Sequence, residues 1–238
     1  MYNDYQVIYF DEVSSTMRTI KSYGALTIHV ANSQTKGIGQ YGREWISQPG
    51  KGIYLSLRNT LTIKNEKNIL SIAQLGAITM AHVLNELNMK VQLKWPNDLY
   101  FNDKKLGGII VEVVESKNHV CEYILGLGVN LSAPNVLDHA IGINDINNIE
   151  KDSKHLIQAF VNQWDDFVHI FSSSGLSSFQ ALWQKYDYLS SKVVTIKLHD
   201  KETIGQSDGI NEFGEFKLVT LKGRSLLFDH QASIINIT

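Results

Sequence analysis

The chain has 238 residues and a mass of 26.8 kDa, enough for one large domain with a small appendage and too little for a multidomain machine. Apolar residues make up 43% and charged residues 19%, with only three prolines, so the chain can bury a substantial core and wholesale disorder is excluded. Lys and Arg number 22 against 24 Asp and Glu, and the resulting charge of −2 supplies no bulk field for nucleic acid or anionic lipid, so an anionic ligand needs a local basic site.

The segment Met1 to Glu12 lacks a basic leader region, and no apolar run approaches the roughly 18 residues of a membrane span, so neither export nor membrane insertion is expected. Cys121 is the single cysteine, which excludes an internal disulfide and a thiolate metal cluster. A cytoplasmic location follows as the expectation.

Along the chain, Tyr5–Phe10 and Leu26–Ala31 are rich in β-formers, with a helix start at Ser14-Ser15-Thr16 between them. Asn32–Lys51 breaks the periodicity with four glycines and a proline before a strand resumes at Gly52–Arg58, and so long a gap inside a compact domain marks a functional loop. From Glu66 to Leu87, apolar residues recur at three- and four-residue steps, predicting a long helix with one buried face. Val91–Trp95, Leu99–Phe101, Lys105–Val114 and Val120–Leu131 then read as an antiparallel meander. Helices are expected over Lys154–Phe171 and Leu176–Leu189. From Lys192 to Thr238, short β-rich stretches alternate with turn signals at Asp208-Gly209, Asn211–Gly214 and Lys222-Gly223, predicting a small barrel of about five strands. The boundary is placed near residue 190, giving domains 1–190 and 191–238, and the order of strands, helices, then strands argues α+β.

Gly37-Ile38-Gly39-Gln40-Tyr41-Gly42 matches G-x-G-x-x-G, but its context fits neither familiar use of that motif. No helix opens at the loop and no acid follows at the spacing that a dinucleotide fold needs, while the lysine and catalytic loop of a kinase are missing. The surviving readings are a loop whose amides wrap a phosphate, flanked by Lys36, Arg43 and Lys51, and an ordinary flexible hairpin loop. Lys94-Trp95-Pro96-Asn97-Asp98 ends one strand and Lys105 begins another, gathering two amines and two polar turn residues at a sheet edge. That set suits polyphosphate chemistry, with a solvated hairpin as the competing reading. Gly107-Gly108 and Gly126-Leu127-Gly128 leave strand faces bare, which points to a flat ligand ring packed on the backbone or to β-bulges.

The combination of Ser15-Thr16, Gln34, Gly42-Arg43-x-Trp45, Lys94–Leu99, Lys105-Leu106-Gly107-Gly108-Ile109 and Gly126–Asn130, in this order and spacing, resembles the biotin–protein ligases. The resemblance runs from about Tyr5 to Asn130 and weakly beyond. It implies a mixed, largely antiparallel sheet packed with helices, followed by a small SH3-like barrel. The implied activity uses ATP, with Mg²⁺, to join biotin to AMP, then passes the biotinyl group to a lysine of a biotin carboxyl carrier protein domain.

By the same resemblance, Lys105 and Arg43 are the expected catalytic residues. A fixed ammonium between two anions offsets their repulsion, and at about 4 Å with an effective dielectric of about 20 one such charge is worth on the order of 4 kcal/mol. Ser15, Thr16, Gln34, Gly37, Trp45, Lys105, Gly108 and Gly128 are the implied biotin contacts. Gly39, Gly42, Arg43, Lys94, Asn97 and Asn130 are the implied ATP/AMP contacts, and Asp98 the implied Mg²⁺ ligand.

The family loop reads G-R-G-R-x-G-R, whereas Ile38 and Gln40 stand at its first two arginines here, so the acyl-adenylate should be held more loosely. Met17 stands where asparagine is common. The chain opens on a catalytic-domain strand, so a DNA-binding module and operator DNA are not expected, and the near-neutral charge agrees. A homodimer through sheet-edge pairing is possible in this family. The alternatives are a lipoate or octanoate ligase, against which the Lys94–Leu99 motif argues, and a catalytically weak biotin-binding protein, against which Lys105 argues.

Overall fold

The computed structural model describes residues 4–134, 137–147 and 152–238. Strand β1 (Gln6–Val13) runs parallel to β2 (Thr27–Gln34), a pairing that needs a crossover, here the short helix α1 (Thr16–Thr19) and a 3-10 turn at Ile20–Ser22. Strand β3 (Gly52–Thr62) turns back antiparallel to β2. After the helical segment that follows, β4 (Gln92–Lys94), β5 (Asp98–Phe101), β6 (Lys104–Lys117) and β7 (Val120–Asn130) form the expected meander. The seven strands lie in the order β1-β2-β3-β7-β6-β5-β4, with β1–β2 the one parallel pair. The predicted mixed, largely antiparallel sheet is therefore observed.

The long helix predicted over Glu66–Leu87 starts as a 3-10 segment, Glu66–Ser71, capped by the Asn65 carboxamide on the Lys67 amide. It continues as α2 (Ile72–Glu86). Asn85 stops it: its side chain brackets the Val91 backbone, accepting from the amide at 2.7 Å and donating to the carbonyl at 2.9 Å. Gly76 lets α2 approach the sheet, since a Cβ there would stand 2.9 Å from Leu125 Cδ1. Helix α4 (Ser153–Ser174), capped by Asp152, presents Ile157, Phe160, Trp164 and Phe171 at helical spacing, and Trp164 meets the Tyr123 ring edge-on. After α4, a 3-10 turn (Gly175–Phe179) leads into α5 (Gln180–Tyr186). A five-residue helix, α3 (Ile143–Asn147), lies between β7 and α4.

These helices cover one face of the sheet. Ile109 and Leu125 point into this main core, while Ile124 and Ile110 point the other way, packing with Met17 and Ile20 of the α1 crossover in a separate small cluster. The second face thus stays free of long helices.

The C-terminal segment forms β8 (Val193–Leu198), β9 (Lys201–Ile210), β10 (Phe216–Thr220), β11 (Ser225–Phe228) and β12 (Ser233–Ile237), all antiparallel in the order β11-β10-β9-β8-β12. The predicted five strands are present, but β11 and β12 do not pair, so the sheet is not a closed barrel; both edge strands are short, and each is held by one neighbour. Asp208-Gly209, read as a turn, lies inside β9 at a register shift against β10, where Gly209 adopts φ +76°: a bulge uses the same glycine freedom as a turn. The true β9–β10 turn is Asn211–Gly214, with the Asn211 side chain accepting from the Phe213 and Glu215 amides. Its Gly214 carbonyl accepts from Gln74 on α2 and from the Trp95 indole, docking the small sheet on the large one through a continuous apolar core.

Asp187, between α5 and β8, is buried, and burial pushes its carboxyl from 3.8 to about 6, with the Leu189 amide and Lys192 opposing. A carboxyl raised in the folded state makes no difference to stability while protonated in both states. Its cost appears as pH rises from about 4 to about 6 and is constant above, on the order of 2–3 kcal/mol. Urea melts of an Asp187→Asn variant should therefore show little gain over the wild type near pH 4, a growing gain to pH 6 and a plateau above. A gain independent of pH would contradict this account.

Candidate active site

The floor of the site is the free face of β6 and β7. Gly108 pairs with Gly128 across the ladder, and Gly126 lies two residues before Gly128 on the same face. A Cβ on Gly128 would stand 2.6 Å from the Trp45 indole, one on Gly126 2.8 Å from the Met17 sulfur, and one on Gly108 2.9 Å from Asp98 Oδ1. The bare patches are therefore covered by the chain itself, and the flat ring on Gly128 is Trp45.

The residues before Trp45 are organised as a hairpin folded over this floor. Gln34 bridges to Ser47 and Ile38 to Glu44, while the Trp45 amide donates to the Gly37 carbonyl (3.0 Å) and the Gly39 amide to the Arg43 carbonyl (2.7 Å). The amides of Gly39, Arg43 and Trp45 are thus spent inside the hairpin and do not wrap an anion. Gly37 is required at its position, because a Cβ would stand 2.3 Å from the Trp45 carbonyl oxygen. Gln40–Gly42 form the tip, with Tyr41 and Gly42 both at positive φ.

The Gln34 carboxamide holds the hairpin root. Its Oε1 accepts from the Thr16 amide (2.8 Å) and hydroxyl (3.1 Å), and its Nε2 donates to Ser47 Oγ (2.9 Å). Buried Ser56 donates to Thr16 Oγ1 at 2.8 Å, tying β3 into the same network. Ser15 is fully buried, and its Oγ has no partner; Trp45 Nε1 and Asn97 Oδ1 are buried and unpartnered as well. Such groups cost free energy until something supplies their hydrogen bonds.

The cationic part of the site is built on β5 and β6. Lys105 Nζ lies 2.7 Å from Asp98 Oδ1 and 5.6 Å from the centre of the Trp45 ring. Its backbone is clamped by the segment after β7: the Lys105 amide donates to the His139 carbonyl, and the Ile141 amide to the Lys105 carbonyl. Asn97 donates its side-chain amide to the Ile109 carbonyl, and Asn130 donates to the Ile141 carbonyl at 3.2 Å.

Apart from Gly37, Gly42 and Lys94, all the predicted site residues line one cavity of about 320 Å³. Gly37 and Gly42 shape the hairpin instead. Lys94 lies against Tyr100, 4.7 Å from the ring centre, where burial lowers its pKa and Asp98 pulls the other way. The cavity also takes in Pro134, Leu137, His139 and Ala140, which sequence reasoning missed: a backbone clamp between distant segments leaves no side-chain pattern. Asp98 and Glu44 are the carboxylates lining it, and among the described residues no group of three metal-ligating side chains exists. Asp98, the implied magnesium ligand, is paired with Lys105.

The model of the biotin/lipoate A/B protein ligase family matches residues 9–130, a span that holds almost the whole site. The chain belongs to this family. The bifunctional ligase/repressor BirA of Escherichia coli strain K12 is 30% identical over 194 residues, covering 79% of this chain and 60% of that protein. BirA of Bacillus subtilis is 27% identical over 229 residues, covering 91% and 70%. This chain thus spans 60% of the length of the Escherichia coli relative. The biotin protein ligase of Aquifex aeolicus, solved with biotin and ATP, superposes with a TM-score of 0.82 at 26% identity, covering 96% of this chain and 98% of that one. Among the described residues, no helix is long and apolar enough to cross a membrane.

The unpartnered Ser15 hydroxyl gives a direct check on the polar part of the cavity. In thermal melts, a Ser15→Ala variant should match or exceed the ligand-free wild type, by up to about 1 kcal/mol. A clear loss of stability would mean that the hydroxyl is already satisfied.

Proposed function

We propose that this chain is an ATP-dependent biotin–protein ligase. The observation that carries the reading is one cavity holding the Lys105 ammonium together with neutral, buried hydrogen-bonding groups that lack partners. That pairing suits a substrate with an anionic reacting end and a neutral polar head, as a ureido ring with a carboxylate tail provides. The family relationship and the Aquifex aeolicus likeness support it.

In the first half-reaction, a biotin carboxylate oxygen attacks the α-phosphorus of ATP; the new O–P bond forms as the bond to the β-phosphate oxygen breaks, and pyrophosphate leaves. The Lys105 ammonium offsets the repulsion between the two anions, and its ion pair with Asp98 keeps it in place. Ser15, Thr16 and Gln34 bind the ureido head, Gly128 lets Trp45 lie on the sheet as the pocket wall, and Gly108 leaves room for Asp98 beside Lys105. Gly39, Arg43, Asn97 and Asn130 face the nucleotide, and Asp98 is the carboxylate beside Lys105 that would hold a magnesium ion bound to the phosphates, an ion that would offset their charge. In the second half-reaction, the amine of a carrier-protein lysine attacks the acyl carbon, AMP leaves, and the nitrogen gives up a proton. Ile38 and Gln40 both line the cavity, so the charge missing at these two positions bears on how firmly the adenylate is held.

Lipoate and octanoate have no ureido head, so either would leave Ser15 Oγ unpaired in its buried position. ATP–pyrophosphate exchange with Mg²⁺, run with biotin, lipoate, octanoate and no acid, separates these readings without the carrier. Exchange should depend on biotin, and Lys105→Ala should slow it by about a hundredfold or more while biotin still binds. Exchange supported only by lipoate or octanoate, or normal turnover in the variant, would overturn the assignment.

A further inference from the structure

The hairpin over the cavity is fixed at its root by Gln34 and Ser47 and along its arms by the Gly37–Trp45 and Gly39–Arg43 backbone bonds. Its tip is tied from outside. Tyr41 donates its phenolic hydroxyl to the His230 carbonyl oxygen at 2.5 Å, across a separation of 189 residues. His230 lies in the turn between β11 and β12, which is closed by the Ala232 amide on the Asp229 carbonyl and by the Gln231 amide on the Asp229 side chain. The acceptor is therefore presented by a formed turn.

Tyr41 is held there against its own backbone preference. It adopts φ 55°, ψ 30°, a left-handed conformation that disfavours a side chain with a Cβ, and the residue is 65% exposed, so burial of its ring does not explain the arrangement. Arg43, which lines the cavity, has its guanidinium 6.0 Å from the centre of the Tyr41 ring. The position of the tip thus bears on Arg43, and through the hairpin arm on Trp45.

We propose that Tyr41 is a positioning residue: its phenol clasps the C-terminal sheet and keeps the hairpin, with Arg43 and Trp45, closed over the acyl-adenylate between the two half-reactions. The inference rests on the proposed ligase reading and assigns the C-terminal sheet a part in retaining the intermediate.

Tyr41→Phe removes the donor and keeps the ring, whereas His230→Ala keeps the carbonyl that accepts. Amide hydrogen exchange at residues 38–44 is compared in the ligand-free proteins, and release of preformed biotinyl-AMP in a chase experiment. Tyr41→Phe should speed both by about three- to tenfold, the range expected for one lost hydrogen bond, with the melting temperature lowered by no more than a few degrees and local exchange outside the hairpin unchanged. His230→Ala should match the wild type. The clasp is overturned if Tyr41→Phe behaves as wild type, if exchange quickens without faster release, or if His230→Ala reproduces the Tyr41→Phe effects. A wild type that forms no biotinyl-AMP is a failure of the ligase reading instead, and the exchange comparison then decides the clasp by itself.

Discussion

A β-strand sends alternate side chains to opposite faces, and the site depends on what that rule does at Gly126 and Gly128. Leu125, Leu127 and Val129 fill the core beneath α2 and α4, while the alternating glycines strip the other face down to backbone. Gly108 extends the bare area to β6 through its pairing with Gly128. One face of the same two strands thus supplies stability, and the other leaves room for Trp45, Met17 and a ligand. Substitutions on the two faces should accordingly separate: those among the leucines act on folding, those at the glycines on the cavity.

A bare floor becomes a site only when something holds a roof over it, and here that is done by polar groups of modest individual strength. Gln34 uses both ends of its carboxamide, on Thr16 at the crossover and on Ser47 at the hairpin, so parallel β1–β2 pairing, α1 and the hairpin are fixed relative to one another. The carboxamide also sets which groups remain free. With Thr16 and Ser47 engaged, Ser15 Oγ is left buried without a partner, a cost that a ligand with a polar head would remove. Lys105 is held in the same spirit, by Asp98 at its ammonium and by His139 and Ile141 at its backbone. Fixing the cation before substrate arrives is what makes a single charge effective in a transition state.

Much of this was legible in the sequence wherever the signal was local. The apolar periodicity before Leu87, the β-rich meander and the glycine pairs mark α2, β4–β7 and the cavity floor, and the spacing of Ser15-Thr16, Gln34, Trp45, Lys94–Leu99 and Lys105–Gly108 carries the family. Non-local relations were not legible. The ring on Gly128 belongs to Trp45, which approaches only because the hairpin folds back. Gly209 carries the same conformational signal in a bulge as in a turn, and an open sheet edge differs from a closed one by pairing that no short motif encodes. Nor does the Lys94–Leu99 motif show that the Lys94 ammonium lies over the Tyr100 ring, outside the cavity lining.

Calorimetric titration of biotin into the wild type and a Gly128→Ala variant decides whether the glycine floor under Trp45 belongs to the proposed biotin pocket. The added Cβ would stand 2.6 Å from the indole, so the ring must leave its place. One biotin should bind per wild-type chain, with an affinity at least about tenfold weaker in the variant, equivalent to about 1.4 kcal/mol. No binding by the wild type, or equal affinity in both proteins, would contradict it.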